Sequence, residues 1–322
     1  LRNVTYLQRE GRFCIIDFEY ATILDDPNQK SPEKFPDKKD LVKATAKARR
    51  TTLIKWSSMS HIGTVRTSNE DAFLAVSFNQ HGFQYLGDFG QAELKHDGHV
   101  FAVSDGMGGA NAGEYASKVA VAKINEYLPK AMPYGDTTAV FKNSCERMFS
   151  EIFNAIHQAL IYLGECYEEC QGMGSTLSLC WFTQSWLYFA HIGDTKIYHL
   201  PAKGGMKQIS EDHTLVGSLL RSGKITEYEA RAHPRRNALQ RSLGAHAQII
   251  NFQSGFLEHA SGDMFLICSD GVNAGLWSRQ IHSLLRQPDE NEIKLRPANR
   301  VVQTAVEKSG KDNTTAVVIE IS

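Results

Sequence analysis

The chain has 322 residues, with 35 Lys and Arg against 36 Asp and Glu and a formal net charge of −1. Near-neutrality excludes bulk attraction to nucleic acid or an anionic membrane as the basis of recognition, so a charged substrate has to be met locally. A hydrophobic content of 42% supports one large core plus an appendage, and the six scattered cysteines lack the paired Cys-x-x-Cys spacing of zinc sites, which fits reduced thiols in a cytoplasmic protein.

Residues 1–52 stand apart. Phe13-Cys14-Ile15-Ile16 is a short strand-like run, followed by Pro27, Pro32 and Pro36 among mixed charges and then by the basic cluster from Lys43 to Arg50. Interspersed Glu33, Asp37 and Asp40 make that cluster a solvated face, and the whole reads as an N-terminal extension with a charged linker. Ile16-Asp17-Phe18-Glu19-Tyr20-Ala21 looks like the metal-binding strand end of choline-kinase-like enzymes. Too few residues precede it for the catalytic loop of an intact kinase, which leaves a remnant or a plain strand. The first residue is Leu1 and not Met, as expected of an excised or processed start.

From Leu53 onward, five short acidic clusters interrupt core-forming sequence. They are Arg66-Thr67-Ser68-Asn69-Glu70-Asp71, the stretch from Phe101 through Ser104-Asp105-Gly106-Met107-Gly108-Gly109 to Ala110, Gly193-Asp194-Thr195, Cys268-Ser269-Asp270-Gly271 and Lys311-Asp312-Asn313-Thr314. An apolar run ending in Asp-Gly puts a carboxylate and a free carbonyl at a strand end, where hard cations collect oxygen ligands. Any one cluster alone reads as a solvated acid. Because Asp is depleted in strands, the repetition needs a local reason, and a shared metal site supplies one.

Between the clusters, Ala116, Val119, Ala120, Ile124 and Leu128 form one apolar stripe at helical spacing, entered from Asn111 after the Gly108-Gly109 turn. Phe141, Met148, Ile152, Ile156, Leu160 and Leu163 form another. Cys166 and Cys170 share a helical spacing without two further soft-metal ligands. The uncharged run from Gly172 to Gly193 has membrane-span length, but Ser, Thr and Gln interrupt it, and Thr183-Gln184-Ser185 reads as a turn between strands. Strands are predicted at Leu177 to Phe182, Trp186 to Ile192, Lys196 to Leu200, Met264 to Cys268 and Ala316 to Ile321, joined as in an antiparallel sheet.

Taken in order, these segments resemble the motifs of the metal-dependent protein phosphatases of the 2C type, in their bacterial form. The resemblance runs from about Leu53 to Ser322. It is carried by Arg66 with Glu70-Asp71, Ser104 to Glu114, Gly174-Ser175-Thr176, His191-Ile192-Gly193-Asp194, Glu211-Asp212-His213, Ser242-Leu243-Gly244, Ser269-Asp270-Gly271 and Asp312-Asn313-Thr314. It implies an α+β fold over residues 53–322, a central antiparallel β-sandwich flanked by helices on both outer faces in a four-layer αββα arrangement. Residues 213–241, including Leu219 to Thr226, Ala230 and His233-Pro234-Arg235, resemble the mobile flap of bacterial members.

The implied activity is hydrolysis of phosphoserine and phosphothreonine on proteins, with two divalent ions acidifying a shared water and stabilising an in-line displacement. All-oxygen ligands select Mn²⁺ or Mg²⁺. By resemblance, Asp105 bridges both ions, Asp270 and Asp312 complete one shell, and the Gly106 carbonyl joins the other. Glu70 and Asp71 act largely through water, and Arg66 grips the phosphate with its guanidinium fork. Asn69 and Asn313 fix loop geometry. His191 reads as a core residue, and His213 stays open between core and catalyst.

Two departures from the family pattern bear on chemistry. As in bacterial members, Met107 stands where many eukaryotic relatives have a leaving-group histidine, so a metal-bound water is the expected acid. A third family metal uses Asp194 and an acid four residues after Asp270, where this chain has Ala274, so a third ion is expected to bind weakly. The implied partners are phosphorylated protein substrates of a cytosolic Ser/Thr kinase, with no nucleic acid and no membrane span. The alternative is a pseudophosphatase or phosphoprotein-binding scaffold, motivated by Ala274. A metal-dependent nuclease would need a basic groove with interleaved aromatics, which is not evident. Specificity is expected in the flap, in partner surfaces and in the insertion from Ser77 to His99, whose Phe83, Tyr85 and Phe89 either cover a sheet edge or form a docking surface.

Overall fold

Apolar runs separated by turn residues pair here into antiparallel sheets. The computed structural model describes residues 4–7, 12–15, 52–79, 82–94, 98–108, 112–129, 138–244 and 250–322. The chain divides into two units, one of residues 1–50 with 134–141 and one of residues 51–133 with 142–322. In the first unit β1 (Val4–Leu7) pairs antiparallel with β2 (Arg12–Ile15), so most of the run at Phe13 is a strand. The proline-rich linker, the Lys43–Arg50 cluster, the segment from Ile16 to Ala21 and the turn at Gly109 to Asn111 lie outside the described residues.

The second unit contains β3 (Thr52–His61), β4 (Asp71–Asn79), β5 (Gly82–Tyr85), β6 (Phe89–Leu94), β7 (Gly98–Met107), β8 (Gly174–Ser175), β9 (Leu177–Phe182), β10 (Trp186–Ile192), β11 (Lys196–Leu200), β12 (Lys207–Gln208), β13 (Gln253–Glu258), β14 (Met264–Cys268) and β15 (Thr314–Ile321). Its helices are α1 (Ala112–Tyr127), most of α2 (Thr138–Cys166), α3 (Leu215–Arg221), α4 (Glu227–Ala232), α5 (Asp270–Gly275), α6 (Ser278–Arg286) and α7 (Pro297–Lys308). One sheet runs β13-β10-β9-β7-β4-β5 with β8 added to β7, and the other runs β12-β11-β14-β15-β3-β6. Every pairing is antiparallel.

The two sheets bury their facing side chains in one core that takes Phe101, Cys180 and Phe182 from the first and Ile54, Phe265, Ile267, Val317 and Ile319 from the second. Phe182 meets Phe101 edge-on at 5.9 Å and Phe265 edge-on at 5.2 Å, geometries that align a positive ring edge with a negative face. Strand β14 is buried along its whole length because Phe265 and Ile267 face the sandwich while Met264, Leu266 and Cys268 face α5, α6 and α7. Double coverage explains why this strand reads as a continuous apolar run without alternation.

On the other outer face, α1 packs against β7 and β4 through Ala112, Gly113, Ala116, Ser117 and Ala120, small side chains that let helix and sheet approach closely. Of the stripe read from sequence, Ala116, Ala120, Ile124 and Leu128 are fully buried, whereas Val119 is only half-buried. The arrangement is an α+β sandwich with helices on both outer faces. The insertion forms β5 at the edge of one sheet and β6 at the edge of the other. Its Tyr85 and Phe89 stay exposed, with the Arg296 guanidinium 3.3 Å from the centre of the Phe89 ring. Among the described residues no helix is long and apolar enough to cross a membrane.

Candidate functional site

Strand ends from both sheets meet at one end of the sandwich, and each carries an acid. Asp71, which opens β4, is the cross-strand partner of Asp105 near the end of β7. Asp270 is the first residue of α5, directly after β14 and the N-cap Ser269. Asp312 precedes β15, and Asp194 lies in the turn between β10 and β11. Arg66 and Glu70 come from the loop that leads into β4.

Backbone hydrogen bonds fix these ends. Asp105 N–H donates to Thr176 Oγ1 at 3.0 Å, and the Asp105 carbonyl accepts from Thr176 N–H at 2.8 Å and Ser175 Oγ at 3.0 Å. Gly106 N–H donates to the Glu70 carbonyl at 3.0 Å. A Cβ at Gly106 would lie 1.8 Å from the Gly113 carbonyl oxygen, so the close approach of β7 to α1 requires glycine there, and one at Gly113 would lie 2.5 Å from Glu70 Oε1 and displace that side chain. Asn313 Oδ1 accepts from Glu70 N–H at 2.8 Å while its Nδ2 donates to the carbonyls of Ile62 at 2.8 Å and Ser68 at 3.0 Å. Asn69 Nδ2 donates to Ser60 Oγ at 2.8 Å. Both asparagines thus act on loop geometry.

Burial and mutual repulsion together disfavour the ionised acids. Desolvation, with Asp270 and Asp312 nearby, pushes Asp71 up to about 7 even though Ser269 Oγ donates to its Oδ2 at 2.7 Å. Asp105 is raised well above the usual carboxylate range by burial and by Asp71, Asp270, Asp194 and Asp312. Burial also lifts Asp194 to about 7, with Asp270 adding to it, and Asp270 to about 6, with Asp312 adding to it. Glu70 is raised by desolvation against the opposing pull of Arg66.

Two protein cations offset this charge in part. Arg66 Nη2 lies 2.8 Å from Asp312 Oδ1 and its Nη1 3.9 Å from Glu70 Oε2. Lys196, only 9% exposed, bonds the Asp212 carboxylate and, at 3.2 Å, the Asp194 carbonyl. Among the described residues no three His, Cys, Asp or Glu side chains are closed into a preformed metal cage. The donor set nonetheless fits a hard divalent cation: it is all oxygen, it carries uncompensated negative charge, and Asp71 Oδ1 is buried with no hydrogen-bond partner among the described residues.

The histidines are core residues. His191 is fully buried, with Ser178 Oγ 2.8 Å from its Nδ1 and the carbonyls of Gly193 and Glu211 3.2 and 3.1 Å from its Nε2. Desolvation and the neighbouring His213 lower it to about 3, so it is neutral. His213 stacks on it at 5.1 Å, accepts Gly193 N–H at Nδ1, and is lowered by burial to about 4. Ala274 is exposed one helical turn beyond Asp270 and offers no oxygen.

A family model described as Protein phosphatase 2C matches residues 84–306. The chain belongs to the protein phosphatase 2C family. It is 30% identical over 274 residues to the serine/threonine protein phosphatase PstP of Mycobacterium tuberculosis, which covers 85% of this chain but 46% of that protein. The chain thus spans about half the length of that curated relative. It is 29% identical to the serine/threonine phosphatase stp of Listeria innocua, covering 72% of this chain and 88% of the relative. The crystal structure of PstP from M. tuberculosis superposes with a TM-score of 0.64 at 30% identity, covering 83% of this chain and 98% of that one. The PstP catalytic domain in complex with two manganese ions superposes with a TM-score of 0.63 at 29% identity, covering 84% and 99%.

In this protein phosphatase 2C chain, sequence reasoning located the acids and overlooked what holds them. Ser269 on Asp71, Thr176 on Asp105 and the buried Lys196 were given no role. Lys196 alone carried a signal, a lysine opening a strand with no other Lys, Arg, Asp or Glu.

Proposed function

We propose that this chain is a metal-dependent protein serine/threonine phosphatase, hydrolysing phosphoserine and phosphothreonine on proteins, with residues 213–241 serving as a flap beside the site. The observation that carries the reading is the convergence of Asp71, Asp105, Asp194, Asp270 and Asp312, with burial and mutual repulsion opposing their ionisation and Asp71 Oδ1 unpartnered. Its relatives' names and the two manganese ions of the PstP catalytic domain support it.

Asp105, Asp270, Asp312, Asp71, Glu70 and the Gly106 carbonyl would hold two Mn²⁺ or Mg²⁺ ions, and Asp194 would contribute to a weaker third. When bound, the ions supply a water acidified to near-neutral pKa and positive charge for the phosphoryl oxygens. Ser269 fixes Asp71 by its Oδ2, which leaves Oδ1 to accept from and orient the attacking water. Arg66, with a side chain 48% exposed, exchanges its contacts with Asp312 and Glu70 for the substrate phosphoryl group, which its fork grips at two oxygens. No histidine follows Gly106, so solvent protonates the leaving group.

The test is hydrolysis of a phosphothreonine peptide with Mn²⁺, with Mg²⁺ and with chelator. Turnover is expected with either metal and not with chelator, and Asp105→Asn should lower it by more than about a hundredfold, since even outer-shell changes at metal sites cost 10- to 100-fold. No turnover under any metal would defeat the reading and favour the binding-only scaffold that Ala274 supports.

A further inference from the structure

The segment 213–241 is anchored at both ends on the acid cluster and has the opposite charge. At one end His213 N–H donates to the Gly193 carbonyl at 2.7 Å, beside Asp194. Just past the other, Leu243 bridges to Ser175, whose hydroxyl holds the Asp105 carbonyl. Between these anchors the sequence carries Arg221, Lys224, Arg231, Arg235, Arg236 and Arg241 against only Glu227 and Glu229, in a chain of net charge −1.

Internal pairing does not cancel the excess. Glu229 closes a capping box on Thr226, accepting its N–H at 2.7 Å and its hydroxyl at 2.8 Å, and Glu227 faces Arg231 at 3.9 Å. Arg221 is engaged by Glu211 at 3.5 Å and by the Asp212 carbonyl at 2.8 Å, and Arg231 by the Leu276 carbonyl at 2.7 Å and the Trp277 ring at 3.6 Å. Lys224, Arg235, Arg236 and Arg241 are exposed and have no ion pair among the described residues, although Arg241 Nη1 donates to the Asn251 carbonyl at 3.4 Å. His233 sets two of them on a formed turn: its Nδ1 accepts Arg235 N–H and its carbonyl accepts Arg236 N–H, both at 3.1 Å. Uncompensated like charges repel one another, so their concentration on a segment whose two ends are anchored at the site favours an anionic partner there.

A single phosphoryl group is met by Arg66, so four further cations exceed what one phosphoester needs. We propose that Lys224, Arg235, Arg236 and Arg241 select phosphoproteins that carry additional anionic groups, carboxylates or a second phosphoryl group, flanking the target phosphoserine or phosphothreonine. This rests on the phosphatase reading and names its substrate class. Guanidinium forks suit both anions, because each presents two oxygens in one plane.

Three peptides of otherwise identical sequence test it: one phosphothreonine flanked by Asp, the same flanked by Asn, and the same flanked by a second phosphothreonine. Initial rates with Mn²⁺ give kcat/KM ratios for the wild type and for the double variant Arg235→Glu with Arg236→Glu, and the ratios cancel any general loss of folded protein. At low salt the Asp-flanked and doubly phosphorylated peptides should exceed the Asn-flanked one by roughly tenfold, as expected of a few exposed ion pairs. The preference should shrink at about 0.5 M salt and fall to unity or below in the variant. A gain from the second phosphothreonine alone assigns the phosphoryl group as the source, and a gain from Asp as well assigns negative charge in general. Anisotropy of the same peptides carrying a fluorescent label reads the ratio without turnover. A wild type that treats all three alike in rate and in binding overturns the inference and leaves the phosphatase reading standing; binding of RNA or anionic vesicles lost in the variant would then name a different occupant. A wild type that hydrolyses neither the peptides nor p-nitrophenyl phosphate defeats the phosphatase reading, and the anisotropy ratio alone then decides the charge preference.

Discussion

Asn313, 4% exposed, accepts from Glu70 N–H and donates to the carbonyls of Ile62 and Ser68, so one side chain joins the loop of Arg66 and Glu70 to the start of β15. Its removal leaves three backbone groups without a partner in a place water reaches poorly. Asn313→Ala should therefore cost about 3 kcal/mol in urea unfolding and raise the Mn²⁺ concentration needed for half-maximal activity. Asn69→Ala, which breaks a bond to Ser60 Oγ and a longer one, at 3.2 Å, from Asp71 N–H in a half-buried setting, should cost about 1 kcal/mol. Equal costs for the two would refute the keystone role of Asn313. At this scale the acids were legible in the sequence because Asp-Gly and Asp-Asn directly after apolar runs are rare without cause. Ser269 and Thr176 were not, because hydroxyls are common at strand ends and only the fold shows that Asp71 and Asp105 lie within reach of them.

The turn between β10 and β11 shows how an element places a site residue. Gly193 takes a φ of +105° that a larger residue resists, and its N–H is held by His213 Nδ1. Burial, with the Arg241 and Arg221 charges nearby, depresses the His213 pKa from 6.5 to about 4, and protonation at that nitrogen would also break the bond. In the unfolded chain the residue titrates near its ordinary value, so between roughly pH 6.5 and 4 it is protonated in the unfolded state and neutral in the folded one, and its own contribution to stability falls as pH falls, against the opposite contribution of the raised acids. The expected loss is about 2 kcal/mol over that window, from about 1.4 kcal/mol per pKa unit reduced for partial enclosure. His213→Asn keeps an acceptor for Gly193 N–H and does not titrate, so the stability of the wild type relative to the variant should fall as pH falls through this window. Identical slopes would show that His213 does not control this response. Strand limits such as Leu177–Phe182 and Met264–Cys268 were read correctly from flanking turns and charges. Edge strands β5, β6 and β12 were not assigned, because they are short, at four, six and two residues, and largely polar or exposed.

At the scale of the whole molecule, the site belongs to neither sheet alone. Asp71 and Asp105 come from one sheet and Asp270 and Asp312 from ends of the other, so the donor set exists only when the sandwich has closed over Phe101, Phe182 and Phe265. Composition and motif order pointed to this α+β sandwich, but strand order was hidden, since β15 pairs with β14 and, across more than half of the chain, with β3. Repulsion among buried acids is what a bound dication relieves, so metal binding and the closed fold should depend on each other. Calorimetric titration of the metal-free protein with Mn²⁺ near neutral pH, for wild type and Asp105→Asn side by side, tests this most directly. Two strongly bound ions per chain are expected in the wild type, with loss of both strong sites in the folded variant. Equal Mn²⁺ binding by the two proteins, or none by the wild type, would contradict a metal centre built on Asp105.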